Sequence, residues 1–309
     1  MILPVSFSSA NLYLQRRGAG MQSVCPRGFQ PDTVSFKSTN LLTKSSDEIA
    51  EAVISAVEDE DNYIAQGKEG KVYRIPDTEY CVKILRGSDL NYKDWKKNVY
   101  PSEEVNHIMA KADNGDVIMR YIEGETLHYG KEPEVIYDLP EQSFRRLLKQ
   151  ICNANKKHMV FDNNPPNIIY NAEDKSLTAI DFYDEDYERC YEISPFSQVF
   201  KCLRAKSTSA EDKQLNRKLG GKLLNIIVDD LSAQKPFEIF MNQRDINNLF
   251  NDISWSQSLD LPPQFNILQQ SVNSLYEMRN GKLRGRCTPQ DMNREMKISK
   301  CLINQILSE

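Results

Sequence analysis

The stretch His158–Tyr183 constrains this chain more than any other. It opens HMVFDNNPPNIIY, passes through a polar turn, and closes on the apolar run Leu177–Ile180 followed by Asp181, Phe182 and Tyr183. Asp162 stands five residues before Asn167, and Asp181 ends the second apolar run. The interval from Asn167 to Asp181 has room for a short β-hairpin. Short apolar runs bounded by turn residues read as strands. Asp and Asn supply hard oxygen ligands on short, stiff side chains, a chemistry that suits magnesium.

The order Asp162, Asn167, Asp181-Phe182 resembles the catalytic loop and metal-binding segment of a protein kinase. Phosphoryl transfer depends mostly on positioning and charge neutralisation. The resemblance implies that Asp162 orients the attacking hydroxyl and that Asn167 and Asp181 bind Mg2+ beside ATP.

Upstream motifs follow in matching order. Residues 63–75 read as strand, glycine turn and strand, with Gly67 and Gly70 at the turn and Ala65 where a kinase usually has its first glycine. Without a Cβ, a glycine lets backbone approach phosphate closely, and Val72 would cover the adenine. Tyr80–Leu85 is an apolar strand bearing one lysine, Lys83, and resembles the strand whose lysine grips the nucleotide phosphates. Residues 117–127 resemble the strand and hinge joining kinase lobes. Met119 is expected behind the adenine, with the backbone of Tyr121 and Ile122 along its edge.

Kinases pair that lysine with an acid on a helix, and two places offer one. A helix over Asp89–Val99 would present Asp94, and a helix from Pro101 would present Glu104. The Asp113-Asn114-Gly115-Asp116 hairpin signal places strands over 107–112 and 117–122 and favours the earlier helix. Ser45 and Glu48 have capping-box spacing ahead of a helical stripe of Ile49, Val53, Ile54 and Val57. Phe144, Leu147, Leu148 and Ile151 form another stripe, read as core. Helices are expected over 215–231, 244–253, 265–278 and 290–307.

The fold class is therefore α+β: a two-lobed protein kinase-like fold with a small β-rich N-lobe, a helical C-lobe and an atypical helical C-terminal part. The expected divisions are a weakly structured segment over 1–44, the N-lobe over 45–122, the C-lobe over 123–210 and further helices over 211–309. The Ser-rich start is a poor match to a secretory signal peptide; its composition resembles the secretion signals of type III effectors. A net charge of −5 disfavours a nucleic-acid or anionic-membrane partner. No apolar run approaches the roughly 18 residues of a membrane span. Seven scattered cysteines without a Cys-x-x-Cys pair argue for reduced thiols, and His107, His128 and His158 have no metal-ligand spacing.

More narrowly, the chain resembles compact bacterial type III effector kinases of the OspG and NleH type. It shares with them the short span from Lys83 to the hinge, the Asp-Asn-Gly hairpin, an Asp-then-Asn loop with no preceding Arg, and no Ala-Pro-Glu motif. That resemblance implies Ser/Thr phosphorylation of a host protein after secretion into the host-cell cytoplasm, with a host activating protein as a further partner. Three positions depart from the kinase pattern. Val160-Phe161 replaces His-Arg, Asn164 replaces a lysine that contacts the γ-phosphate, and Tyr183 replaces the glycine after Asp181-Phe182. Two alternatives stay open: a pseudokinase scaffold that grips a host protein through its helical tail, and a small-molecule phosphotransferase.

Overall fold

The computed structural model describes residues 40–92, 94–97, 105–127, 135–185, 193–206, 209–233, 239, 241–258, 260–281 and 288–307. These fall into two compact units. The first holds the described residues up to 97 together with His107–Tyr121; the second holds Val105, Asn106 and everything from Ile122. The chain is of mixed class, with its sheet-rich part first and its helix-rich part last.

Helix α1 (Ser46–Glu58) begins where its cap dictates. The Glu48 N–H donates to Ser45 Oγ, and the Ser45 N–H donates back to Glu48 Oε2 at 2.9 Å. Its buried stripe of Ile49, Val53 and Ala56 packs with Tyr73, Tyr80, Val82 and Ile118 on one face of an antiparallel sheet. That sheet runs β1 (Tyr63–Gln66), β2 (Gly70–Arg74), β3 (Tyr80–Leu85), β6 (Val117–Arg120), β5 (Ile108–Ala112), β4 (Trp95–Lys97). The hairpin joining β5 to β6 turns at Gly115, whose φ of 95° suits glycine. Fully buried Asp116 then accepts from the Leu85 N–H at 2.8 Å and Ser88 Oγ at 2.7 Å, fastening the end of β3.

One expected helix is absent. Residues 95–97, inside the predicted 89–99 helix, form strand β4, paired with β5 through Trp95↔Ala112. The physical reason is Trp95, whose ring is buried in the α1-side core while Lys96 and Lys97 stay exposed. Lysines on an edge strand also discourage further pairing. Asp94 consequently accepts from Ser46 Oγ at 3.1 Å, far along the chain from its expected partner. Glu104, the other candidate, lies outside the described residues.

In the second unit, helix α2 (Val135–Asp138) leads to α3 (Glu141–Asn155). The α3 stripe of Phe144, Leu147, Leu148 and Ile151 is fully buried, as its spacing predicts. Two small ladders follow. Strand β8 (Met159–Phe161) pairs with β11 (Phe182–Asp184), and β9 (Ile168–Asn171) lies between β10 (Ser176–Ala179) and β7 (Glu125–Thr126). Helices α4 (Pro195–Leu203), α5 (Ala210–Ser232), α6 (Gln243–Ser256), α7 (Gln264–Arg279) and α8 (Pro289–Leu307) complete the unit. One hydrophobic core runs through α3, the strands and these later helices. Among the described residues no helix is long and apolar enough to cross a membrane.

Candidate functional site

The register of the first unit gathers one set of predicted residues. Lys83 stands opposite Val72 on one side and Val117 on the other, and Cys81 stands opposite Met119. Side chains alternate along a strand, so Lys83 shares the face of Cys81, turned away from the face that α1 covers. Val72, Cys81, Ile108, Val117 and Met119 form a small apolar cluster there, with Ile64 and Tyr121 packed against it. Burial pushes the Cys81 thiol up to about 12, so it stays a thiol. Ile122, predicted to share this edge, belongs to the second unit. The Tyr121 N–H donates to Glu79 O at 2.8 Å, so that amide serves the fold rather than a ligand.

The glycine turn is tight. The Gly67 N–H donates to Gly70 O and the Arg86 N–H donates to Glu69 O, each at 2.8 Å. Gly70 meets a requirement of the fold here: a Cβ on it would lie 2.0 Å from Ile84 O. Phosphate approach, the reason expected from the sequence, is not needed to explain this glycine. Lys83 is 3% exposed, and its Nζ lies 2.7 Å from Glu69 Oε2. Its acid partner among the described residues thus comes from the turn, and not from a helix.

In the second unit two ladder ends assemble the other predicted set. Phe161 pairs with Phe182, and the Asp162 N–H donates to Asp181 O at 3.1 Å, which makes the two acids backbone neighbours. Ile168 pairs with Ala179, and the Ile180 N–H donates to Asn167 O at 2.8 Å. Pro165 and Pro166 preset the short 3-10 turn Pro165–Asn167 that carries the chain from one ladder to the other. The side chains then interlock. Asn164 Nδ2 donates to Asp162 Oδ1 at 2.6 Å. Asn167 Nδ2 donates to Asp162 Oδ2 at 3.2 Å and to the Asp162 carbonyl at 3.0 Å.

Asp181 adopts φ 68°, a left-handed conformation that few non-glycine residues take. Such backbone persists only where neighbours over-determine it. Here two carboxamides do so. Gln150 bonds both backbone groups of Ala179, at 2.7 and 2.9 Å, and Asn106 bonds both backbone groups of Phe182, at 2.8 and 2.7 Å. Gln198 Nε2 adds a bond to Phe161 O at 2.9 Å. Sequence reasoning missed Gln150, Asn106, Gln198 and Glu69. Each acts from a distant element or a turn, and no spacing pattern marks it.

The residues fit a magnesium ion in part by an unsatisfied atom. Asn167 is 1% exposed, and its Oδ1 is buried without a hydrogen-bond partner. A buried carbonyl oxygen left so is costly unless something else satisfies it. Asp181, 3% exposed, adds a carboxylate. Among the described residues no three His, Cys, Asp or Glu side chains gather as a metal cluster. An ion held here would draw on Asn167, Asp181, water and phosphate oxygens, the sparse ligation typical of magnesium.

No family model matches the chain, and neither does any curated protein. Among solved structures the chain is similar to the pseudokinase domain of BIR2, an immune regulator of the RLK/Pelle family, at 13% identity. That alignment covers 82% of this chain and 84% of the other, with a TM-score of 0.28. With a TM-score of that size the likeness bears on neither the geometry of the site nor its chemistry.

Proposed function

We propose that this chain has a protein kinase-like fold and is an ATP-dependent kinase that phosphorylates serine or threonine on a protein. The observation that carries the reading is Asn167. Its amide NH2 holds Asp162 while its Oδ1 is left buried and available, so one side chain both positions a carboxylate and offers a metal ligand. Sheet order and motif order support the fold assignment. The glycine hairpin is followed by the lysine strand, which pairs with the strand leading to Tyr121.

In this reading Asp162 orients the substrate hydroxyl. Two carboxamide donors fix the orientation of its carboxylate, so it acts chiefly by aiming the nucleophile. Lys83 supplies the cation for the nucleotide phosphates. Asn167 and Asp181 would hold magnesium, which supplies charge neutralisation on the phosphates. Secretion into a host cell, with a host protein as substrate, follows from the resemblance to type III effectors and forms the outer part of the proposal.

A second reading, a pseudokinase that binds without turnover, is favoured by one observation: the Lys83 ammonium is already paired with Glu69. Labelled ATP with magnesium, with and without host-cell lysate, separates the two. The kinase reading expects wild type to label itself or lysate proteins, and Asp162→Ala to lower the rate by about 10²–10⁴-fold, with Lys83→Ala similarly impaired. Binding of ATP with no labelling in any condition would leave the pseudokinase.

A further inference from the structure

Among the described residues Lys83 is the only lysine or arginine that is buried. An ammonium among Val72, Cys81, Val117 and Met119 needs a counter-charge, because an isolated buried cation is costly. Glu69 provides it from the turn between β1 and β2. The main chain of that turn is pinned by two hydrogen bonds and by the contact of Gly70 with Ile84 O. The Glu69 backbone therefore cannot withdraw from the end of β3. Its side chain can: it is 29% exposed, against 3% for Lys83.

A phosphate group and the Glu69 carboxylate seek the same ammonium. Two anions crowded on one cation at low dielectric repel each other strongly. We infer that Glu69 is a built-in competitor for the phosphates of the nucleotide: its carboxylate holds Lys83 in the ligand-free protein and leaves when a polyphosphate binds. The inference rests on the phosphate role given to Lys83 above. It makes Glu69 a determinant of which ligands bind. A triphosphate carries enough charge to displace the carboxylate, and an uncharged nucleoside does not.

The test is calorimetric titration of the full chain with Mg·ATP, inorganic tripolyphosphate and adenosine. Wild type is compared with Glu69→Gln, which keeps the side-chain shape and a hydrogen-bond acceptor but removes the charge. Tighter binding of Mg·ATP and tripolyphosphate to the variant by roughly tenfold, about 1.4 kcal/mol, with adenosine unchanged, is the expected result. Should Glu69→Gln fail to fold, Glu69→Asp draws the carboxylate back from Lys83 and is expected to tighten polyphosphate binding in the same direction. Equal or weaker polyphosphate binding by the folded variants overturns the inference while leaving the kinase reading in place. Absence of polyphosphate binding in wild type and variants alike overturns both. Tighter binding without phosphoryl transfer in any form of the protein keeps the inference and removes the kinase.

Discussion

Asp162 receives an amide donor on each carboxylate oxygen, and the donor on Oδ1 is Asn164, at the position where a kinase usually has a lysine. Here that position holds a neutral group aimed at the carboxylate. Asn164→Ala should therefore act through Asp162. On the kinase reading proposed above, turnover is expected to fall about tenfold, within the range for a mispositioned group, with the KM for ATP unchanged. A second residue-scale effect lies far along the chain from the site. Asp245 completes the capping box of α6, yet burial outweighs its bond from the Asn242 N–H and the nearby Arg244, raising its carboxyl to about 6. The folded pKa thus exceeds the unfolded value, so the ionised group penalises the folded state above pH 6 and the penalty fades as pH falls toward 4. Asp245→Asn should stabilise the protein at pH 8 by on the order of 2–3 kcal/mol and leave it near wild type at pH 4, as read by urea unfolding.

At the scale of elements, what was legible depended on pattern length. Helix α1 announced itself through Ser45, Glu48 and its stripe, and the β5–β6 hairpin through Asn114-Gly115. Strand β4 was hidden because three residues with one apolar side chain show no period, and the stretch reads as a helix presenting Asp94 to Lys83. Polar side chains that complete the backbone, such as Asn106 on Phe182 and Gln150 on Ala179, were equally invisible. They substitute for strand neighbours, and any carboxamide in the chain has the same composition. Glu69 was missed for a related reason: nothing marks a turn glutamate until the fold brings a buried ammonium to it. The β2–β3 pairing offers a sharp test of element geometry. Gly70→Ala drives a Cβ into a backbone oxygen that no rotamer change can move, and should cost about 3 kcal/mol or more in urea unfolding.

For the whole molecule, the helices of the last hundred residues were readable one by one, but their shared core was not. Leu219, Leu223, Ile253 and Ile303 belong to the same buried cluster as Phe144, Leu147 and Phe161. Ion pairs reinforce this union. Asp229 on α5 meets Arg145 of α3 and Lys300 of α8, while Arg145 also reaches Asp230 at 2.7 Å. A chain cut after residue 210 should therefore strand the apolar face of α3 in water. The expected outcome is aggregation on expression, or a protein that shows no cooperative melting by circular dichroism, in contrast to the full chain.

Gly70 bears on how relatives of this chain would be compared. Its bare Cα is demanded by the carbonyl of Ile84, whatever ligand the protein does or does not hold. A lineage that abandoned catalysis would still be obliged to keep that glycine, while Glu69 and Lys83 would be released to drift together. Persistence of the glycine would then testify to the sheet, and only the fate of the charged pair would testify to the chemistry.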